Sequence, residues 1–360
     1  MTTSQLTTAV GIDYPIVQAP MAGGATTPEL VAAVSNAGAL GSFGAAMLPP
    51  SAIVEGVKRI RALTRRPFNV NLFVLGQPSP TQSELARAQA RLEPFRTALG
   101  LGAASVPGKF CEEPREQMAA LLLLAPPVVS FTFGLLDAET VSQFKRAGSL
   151  VVGTATTVAE ARAWEAAGAD FICAQGAEAG AHRGTFLGGF EESAVGLMAL
   201  IPQVAAAVKR PVIAAGGIMD GRGIAASLIL GAQAAQLGTA FLCCPESGIP
   251  AVWKQKLREA RDDSTRLTRT FSGRYARGIV NEFMERMRPF EGDVPAYPVQ
   301  NALTTEMRQV AAKLGRSEFM SLWAGQGVSM SRSLPAEQLV RTLVEELHAI
   351  LPNLSLQETR

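Results

Sequence analysis

His182 is the residue whose type and surroundings most clearly indicate chemistry. It lies in the glycine-rich segment AQGAEAGAHRGTF at 174–186, directly after an apolar run that predicts a strand. A lone imidazole between glycines, with an ordinary pKa of ~6.5, suits proton transfer or hydrogen bonding to an anion. A structural histidine bonded to the loop backbone is the alternative. The adjacent Arg183 is expected either to attract an anionic substrate or to be a surface charge.

Few other residues are candidates for catalysis or metal binding. His348, the only other histidine, lies in LVRTLVEELHAI, whose apolar spacing predicts an amphipathic terminal helix with the ring on its surface. The four cysteines show no CxxC spacing and no CxxC with a histidine pair, so we predict reduced thiols and no metal site. HExxH, EF-hand and GxSxG patterns are also absent, which removes the commonest metalloprotease, calcium and serine-hydrolase functions.

A second glycine-rich region, at 214–242, indicates a phosphate site. Gly216, Gly217, Gly238 and Thr239 would leave backbone N–H groups open to an anion next to a following helix. Tight turns without a phosphate ligand are the alternative. No GxGxxG follows the first predicted strand and no GxxxxGK[ST] occurs, which disfavours Rossmann and Walker-type sites. A phosphate-bearing organic cofactor remains.

These residues follow strands of a predicted α/β fold. Apolar or β-branched runs alternate with Ala-rich helical stretches, as in successive βα units. A glycine that ends a helix in the left-handed conformation is predicted at Gly38, Gly148, Gly168 and Gly231. Such connections suit a doubly wound sheet or a barrel, and the number of strands favours a TIM-type (β/α)8 barrel, whose active site follows the strand ends. The eight predicted strands are 16–19, 40–44, 68–73, 128–133, 150–155, 171–175, 212–216 and 234–238.

Three regions are predicted along the chain. Residues 1–244 form the barrel, with a charged helical insertion near 76–125. Residues 245–334 lack an alternating strand pattern and are predicted to form a mostly helical substrate or lid domain over the barrel mouth. Residues 335–360 contain a C-terminal helix that returns to pack on the barrel.

Composition excludes several classes of partner. The 33 basic residues nearly balance the 31 acidic residues, and no long run of like charge occurs, so neither nucleic acid nor an anionic membrane surface is expected. The N-terminus lacks a secretory pattern, and the longest apolar run, at 118–129, contains two prolines and is too short to span a bilayer. A cytoplasmic protein, with homo-oligomerisation left open, is expected.

Several separate motifs resemble the nitronate monooxygenase family, formerly called 2-nitropropane dioxygenases. The resemblance rests on QAPMAGGATTPELVAAVSNAGALGS at 18–42, the AQGAEAGAHRG loop, and AAGGIMDGRG followed by QLGTAFL. FNVNLF, SFTFG, GTATT, CPESG, SGRYARG and YPVQNALT extend it over most of the chain. It implies a TIM-type barrel with an added substrate domain, one noncovalently held FMN, and oxidation of alkyl nitronates such as propionate 3-nitronate by O2 to carbonyl compounds and nitrite.

The resemblance also implies roles for individual residues. His182 would lie beside the flavin N5, where it acts as a base or holds the nitronate oxygens. Tyr297, which this chain keeps, and Tyr275 are expected in the substrate pocket, and Trp323 either lines that pocket or belongs to the core. The implied FMN contacts are Met21, Asn71, Gln175, Gly180, Gly217, Gln236, Leu237, Gly238 and Thr239.

The chain departs from certain bacterial members on the substrate side. Those members have a histidine in place of Thr132, and a tyrosine and a lysine where this chain has Asn301 and Thr305. Substrate preference therefore cannot be transferred from them.

Two other functions stay open at this point. An NAD(P)H-dependent enoyl-ACP or quinone reductase has similar glycine motifs and a similar histidine loop on the same scaffold. A non-catalytic barrel that binds a phosphorylated ligand would account for the glycines but not for the histidine loop.

Overall fold

The structure, a computed structural model, describes residues 4–350. Its strands are short, and they belong to one large sheet and one small sheet. In chain order the strands are β1 (Ile16–Gln18), β2 (Gly41–Gly44), β3 (Phe68–Phe73), β4 (Val128–Thr132), β5 (Leu150–Ala155), β6 (Phe171–Gln175), β7 (Ala181–His182), β8 (Val212–Ala215), β9 (Ala234–Leu237), β10 (Thr265–Thr268) and β11 (Ala276–Ile279).

The large sheet is parallel and closes into a barrel. Its strand order is β1, β9, β8, β6, β5, β4, β3 and β2. Val17 in β1 forms a parallel bridge with Leu40, just before β2, and the Gln18 N–H donates to the Leu40 carbonyl at 2.9 Å. The predicted TIM-type barrel is confirmed, and each predicted strand agrees with an observed one to within one residue at either end.

Helices surround the barrel and connect its strands. They are α1 (Gln5–Val10), α2 (Pro28–Asn36), α3 (Pro50–Leu63), α4 (Gln82–Ala98), α5 (Pro114–Leu124), α6 (Ala138–Arg146), α7 (Val158–Ala167), α8 (Leu197–Ala207), α9 (Gly221–Ile229), α10 (Thr239–Leu242), α11 (Ala251–Glu259), α12 (Glu282–Met287), α13 (Val299–Lys313) and α14 (Ala336–Ile350). Short 3-10 helices occupy Arg288–Asp293, Ser317–Phe319 and Val328–Met330.

Glycine ends the helices where the sequence predicts it. After α7, Gly168 adopts a φ of 96°, its N–H bonds to the helix, and β6 begins three residues later. A side chain would oppose this left-handed conformation, so glycine lets the chain turn at once into the next strand. Gly38, Gly148 and Gly231 also have positive φ, which confirms the predicted helix stops.

Residues 245–334, which we call the cap, pack around an apolar cluster to which α4 and a few residues of the barrel segment also contribute. The cap contains α11, α12 and α13, and also the strands β10 and β11. β11 pairs antiparallel with β10 on one side and with β7, from the barrel, on the other. The strand pattern in the sequence did not predict these elements, because runs of two to four residues are too short to show alternation.

The helices of the predicted insertion at 76–125 lie in different layers. α5 packs against α3 and β3, and so completes the helical layer around the barrel. α4 packs against α13 of the cap, where the ring centroid of Phe95 lies 4.7 Å from that of Phe283 and 6.0 Å from that of Phe319. Only α4 and its loops therefore depart from the repeating βα pattern.

The C-terminal helix returns to the barrel. α14 packs against α9 and α2 and buries Leu339, Leu343 and Leu347, which recur every four residues along one face. Each such leucine contributes about 1.5–3 kcal/mol when fully buried. His348 is exposed, as its spacing predicts. The predicted segment beyond residue 350 lies outside the described residues. Between residues 4 and 350, no helix combines the length and apolarity needed to cross a membrane.

Candidate active site

One cavity collects most of the residues singled out by the sequence. It has a volume of about 240 Å³ and lies where the carboxyl ends of the barrel strands meet the cap. Parallel barrels place their active sites at this end because the loops that follow the strands can vary without disturbing the sheet. The predicted residues that line it are Met21, Asn71, Gln175, Gly180, His182, Gly216, Gly217, Gln236, Gly238, Thr239 and Trp323.

The His182 loop is held between the barrel and the cap. The pairing of β7 with β11 puts His182 opposite Ala276. From the barrel, Gln175 at the end of β6 donates its Nε2 to the His182 carbonyl at 3.0 Å and accepts the Gly184 N–H at 2.8 Å. The backbone of the histidine is therefore positioned from both sides.

Aromatic side chains and one serine surround the imidazole. The ring centroids of Phe133, Tyr297 and Trp323 lie 5.6, 5.5 and 5.5 Å from that of His182. The Nε2 of His182 lies 2.8 Å from the Ser272 Oγ. Aromatic rings therefore enclose the imidazole, and the Ser272 hydroxyl is its one hydrogen-bond partner among residues 4–350.

Two arginines near the imidazole form no ion pair with any residue between 4 and 350. Arg308 in α13 lines the cavity, and its Nη2 donates to the carbonyl and the side-chain oxygen of Asn301 at 3.0 and 2.9 Å. The Arg274 guanidinium lies 4.2 Å from the centre of the Phe133 ring. Burial lowers the pKa of each guanidinium to about 10, so both stay charged at neutral pH.

The protonation state of His182 follows from these neighbours. Burial among the aromatic rings, and then the positive charges of Arg274 and Arg308, lower the pKa of His182 to about 3. Both effects disfavour the imidazolium, because it would be poorly solvated and would lie near like charges. The ring is neutral at physiological pH.

Arg183 is buried behind the His182 loop, whereas the sequence led us to expect either a substrate contact or a surface charge. Only 1% of the residue is exposed, so it is not a surface charge. Its Nη1 donates to the carbonyls of Gln175 and Gly176, and its Nη2 donates to the Ser193 carbonyl at 2.9 Å. Because these hydrogen bonds tie the guanidinium to loop carbonyls, it does not line the cavity, and the expectation that it attracts substrate is corrected.

Backbone forms much of the barrel side of the cavity. Gly216 and Gly217 have φ values of 133° and 68°, which favour glycine. The N–H groups of Gly217 and Gly238 make no hydrogen bond to other described residues. A Cβ at Gly180 would lie 2.5 Å from the Gly325 nitrogen, so the His182 loop touches cap backbone there. This wall offers donors at close range with no side chain in the way.

Amide side chains add polar groups to the same wall. Asn71 donates its Nδ2 to the carbonyl and hydroxyl of Ser130 at 3.1 and 3.0 Å, and Asn69 donates to that hydroxyl at 2.9 Å. The Oδ1 of Asn69 is buried and accepts no hydrogen bond within the described part of the chain. An unpartnered acceptor in a cavity wall suits a ligand that carries N–H or O–H donors.

Comparison with known proteins identifies the family. The family model for nitronate monooxygenase matches residues 3–346. The chain belongs to the nitronate monooxygenase family. A Staphylococcus haemolyticus protein named "Probable nitronate monooxygenase" is 45% identical and aligns over 97% of this chain and 98% of its own length. A Staphylococcus aureus protein of the same name, from strain Newman, is 42% identical over the same shares of both chains.

Solved structures agree with this family. Nitroalkane oxidase from Streptomyces ansochromogenes superposes with a TM-score of 0.90 at 44% identity, covering 98% of this chain and all of that chain. FabK from Thermotoga maritima gives a TM-score of 0.78 at 28% identity, with 98% and 99% covered. The chain is therefore an oxidoreductase, and members of the nitronate monooxygenase family are flavin enzymes.

The structure does not bring every predicted site residue to the main cavity of this family member. Tyr275 stacks on Phe190, with ring centroids 3.9 Å apart, and does not line the main cavity. The Leu237 side chain is fully buried in the barrel core. Tyr297 lines an adjoining cavity of about 230 Å³ together with Thr305, and Asn301 lines both cavities. The expectation that Tyr275 lines the substrate pocket is therefore wrong, because stacking on Phe190 holds its ring outside the cavity.

Two residues near the imidazole were missed. Arg308 follows the buried Asn301 and Thr304 of α13 by seven and four residues, a spacing that puts it on the buried face of that helix. A charged residue on the buried face of a helix was a usable signal. Ser272 lies in a turn between two strands that the sequence does not reveal, so no local pattern marks it.

Proposed function

We propose that this nitronate monooxygenase family member uses FMN and O2 to oxidise alkyl nitronates, such as propionate 3-nitronate, to carbonyl compounds and nitrite. The observation that carries the proposal is a glycine-lined cavity that brings His182 together with Arg308, whose charge has no ion-pair partner among residues 4–350. A small anionic substrate fits such surroundings. The chemistry needs no metal.

FMN fits the barrel wall of the cavity. Gly217 and Gly238 leave N–H groups that suit a phosphate, and the unpartnered oxygen of Asn69 suits a donor on the isoalloxazine ring. When bound, FMN supplies an acceptor for the electrons of the nitronate and a donor of electrons to O2, which no side chain offers. The residues that would hold it are Met21, Asn71, Gln175, Gly180, Gly217, Gln236, Gly238 and Thr239.

Arg308 would bind and orient the anion, because it lines the cavity. Arg274 donates to the carbonyls of Arg183 and Thr185 and does not line the cavity, so it contributes only its charge near His182. The hydrogen-bond acceptors of Arg308 are carbonyl, amide and hydroxyl oxygens, none of which cancels its charge. Inside a partly buried site this charge attracts an anion more strongly than it would in water. The aromatic rings around His182 exclude water from the same space.

The basicity of His182 favours a nitronate over a neutral nitroalkane as the substrate. An effective general base has a pKa near the working pH, whereas the pKa of His182 is about 3. Removal of a carbon-bound proton by so weak a base would be unfavourable. A nitronate has already lost that proton, so its oxidation does not require His182 to act as a base toward carbon.

Anaerobic mixing tests the proposal. The purified protein should be yellow, its flavin absorbance should bleach on mixing with propionate 3-nitronate but not with NADH, and nitrite should appear when O2 is admitted. Rapid bleaching by NADH alone would instead support a reductase of the kind considered from the sequence. A colourless protein that does not bind added FMN would support a non-catalytic phosphate-binding barrel.

A further inference from the structure

We propose that Ser272 is a positioning residue that keeps the proton of neutral His182 on Nε2 and so leaves Nδ1 as the basic nitrogen toward the cavity. This inference rests on the proposed function, because it concerns the same site. The family resemblance allows His182 to act as a base or to hold the nitronate oxygens, and neither role specifies which ring nitrogen carries the proton.

The hydrogen bonds of the Ser272 hydroxyl give the direction of the contact. A hydroxyl has one proton to donate, and the Ser272 Oγ–H donates to the Arg274 carbonyl at 3.1 Å. The same oxygen lies 2.8 Å from the Nε2 of His182. The Arg274 carbonyl can only accept, and no other described residue donates to it, so the arrangement that satisfies all three groups has the Oγ–H on that carbonyl and the Nε2–H of His182 on the Oγ. The hydrogen bond at one imidazole nitrogen then determines which nitrogen is left unprotonated.

Ser272 cannot easily turn away from this arrangement. It is 1% exposed, and its own N–H donates to the Arg269 carbonyl at 3.2 Å. The next residue, Gly273, has a φ of 85° and donates to the same carbonyl at 2.7 Å. A Cβ on Gly273 would collide with cap backbone, so the turn that presents the hydroxyl is tightly enclosed.

The other imidazole nitrogen is open to the cavity. The Nδ1 of His182 has no hydrogen-bond partner among residues 4–350. Nδ1 is not among the polar atoms that are both fully buried and without a partner. Because His182 lines the main cavity, Nδ1 is accessible from that cavity. The charged or titratable groups around the ring are Arg274, Arg308 and Tyr297, and burial raises the pKa of the Tyr297 phenol, which stays neutral.

This arrangement limits what the ring can do. In the neutral state, Nδ1 offers a lone pair and cannot donate to the oxygens of an anion. If an anion draws a proton from solvent to the ring, the new N–H forms at Nδ1, and Nε2 continues to donate to Ser272. Ser272 therefore supports both protonation states while only the nitrogen at the cavity changes.

Nitrogen NMR on the flavin-loaded enzyme tests the assignment directly. The chain has only two histidines, so protein labelled with 15N-histidine gives two pairs of ring nitrogens, and His348→Asn identifies the signals of His182. At pH 7 the wild type should show a protonated Nε2 and an unprotonated Nδ1. A protonated Nδ1 would overturn the proposal whatever the enzyme's activity, so the outcome is separate from the test of the proposed function.

Variants of Ser272 supply the second arm. Ser272→Ala should give a mixture of the two ring forms and lower kcat/KM by roughly 10- to 100-fold, as for other residues that orient a functional histidine. Ser272→Thr, which keeps the hydroxyl, should restore the single ring form and the wild-type kcat/KM. Ser227→Ala is the matched control, because Ser227 is also buried and donates to a carbonyl, but in α9. A single Nε2–H form in folded Ser272→Ala would refute the role of Ser272.

Discussion

The two walls of the cavity are built in different ways. The barrel wall consists largely of glycine backbone and amide side chains that follow regular strands, whereas the cap contributes large side chains such as Arg308, from α13, and Trp323, from the segment between two 3-10 helices. Repetition of βα units determines where the first wall lies. Individual side chains determine the second, so the cap can change its chemistry without disturbing the barrel.

The largest effect is expected at His182, where the two walls meet. His182→Asn should leave FMN bound but lower kcat/KM by about 100-fold or more, since removal of one preorganised polar group from an active site typically costs that much. Flavin content and nitrite release measure the two quantities separately. Unchanged turnover would remove His182 from the chemistry, and loss of flavin would show that the residue belongs to the cofactor wall instead.

A change at Gly180 should disturb both walls together. Gly180→Ala would force its Cβ against the backbone of Gly325, at a cost of about 1–3 kcal/mol for overpacking. We expect a lower urea midpoint and less flavin per protein. Gly108→Ala is the control, because nothing lies within 4 Å of its added Cβ. Equal behaviour of the two variants would contradict the close contact between loop and cap.

A change at Arg308 should affect the cap wall alone. Arg308→Gln removes a charge that would interact with the anion, so the KM for propionate 3-nitronate should rise about tenfold while flavin content is kept. Arg308→Lys keeps the positive charge and should raise the KM by a smaller factor. Arg316→Gln removes a charge that is paired with Glu318 and does not line the cavity, and should not raise the KM. A tenfold rise in that control would indicate a general electrostatic effect.

The smallest effect concerns stability and pH. The pKa of His182 is about 3 in the folded protein and ~6.5 when unfolded, so the unfolded chain binds more protons between these values. The stabilising contribution of the neutral ring is complete above pH 6.5 and is lost as the pH falls toward 3. Between pH 7 and 6, the wild type should lose about 0.7 kcal/mol more unfolding free energy than His182→Asn, measured with urea. Parallel losses would show that the ring is not held neutral.

The sequence was sufficient for the barrel because each βα unit repeats the same local signals. Apolar runs, helix periodicity and glycines such as Gly168 agreed at each step, and the strands were predicted almost to the residue. The cap offered no such repetition. Its strands β10 and β11 are stabilised by pairing with each other and with β7, a contact between residues far apart in sequence.

Predictions of the site differed in the same way. Backbone positions such as Gly217 and Gly238 follow from strand ends, and both line the cavity. The direction of a side chain depends on its packing, and sequence cannot reveal that Tyr275 stacks on Phe190. Ser272 was missed because its function depends on where a turn in the cap meets the imidazole.

The strand β7, only two residues long, makes assembly of the reactive histidine conditional. Because His182 is an edge residue of a sheet otherwise formed by the cap, a chain with a folded barrel but an unformed cap would have its glycine wall and not its imidazole in place. The small sheet therefore makes the position of the imidazole depend on a folded cap, although the residue itself belongs to a barrel loop.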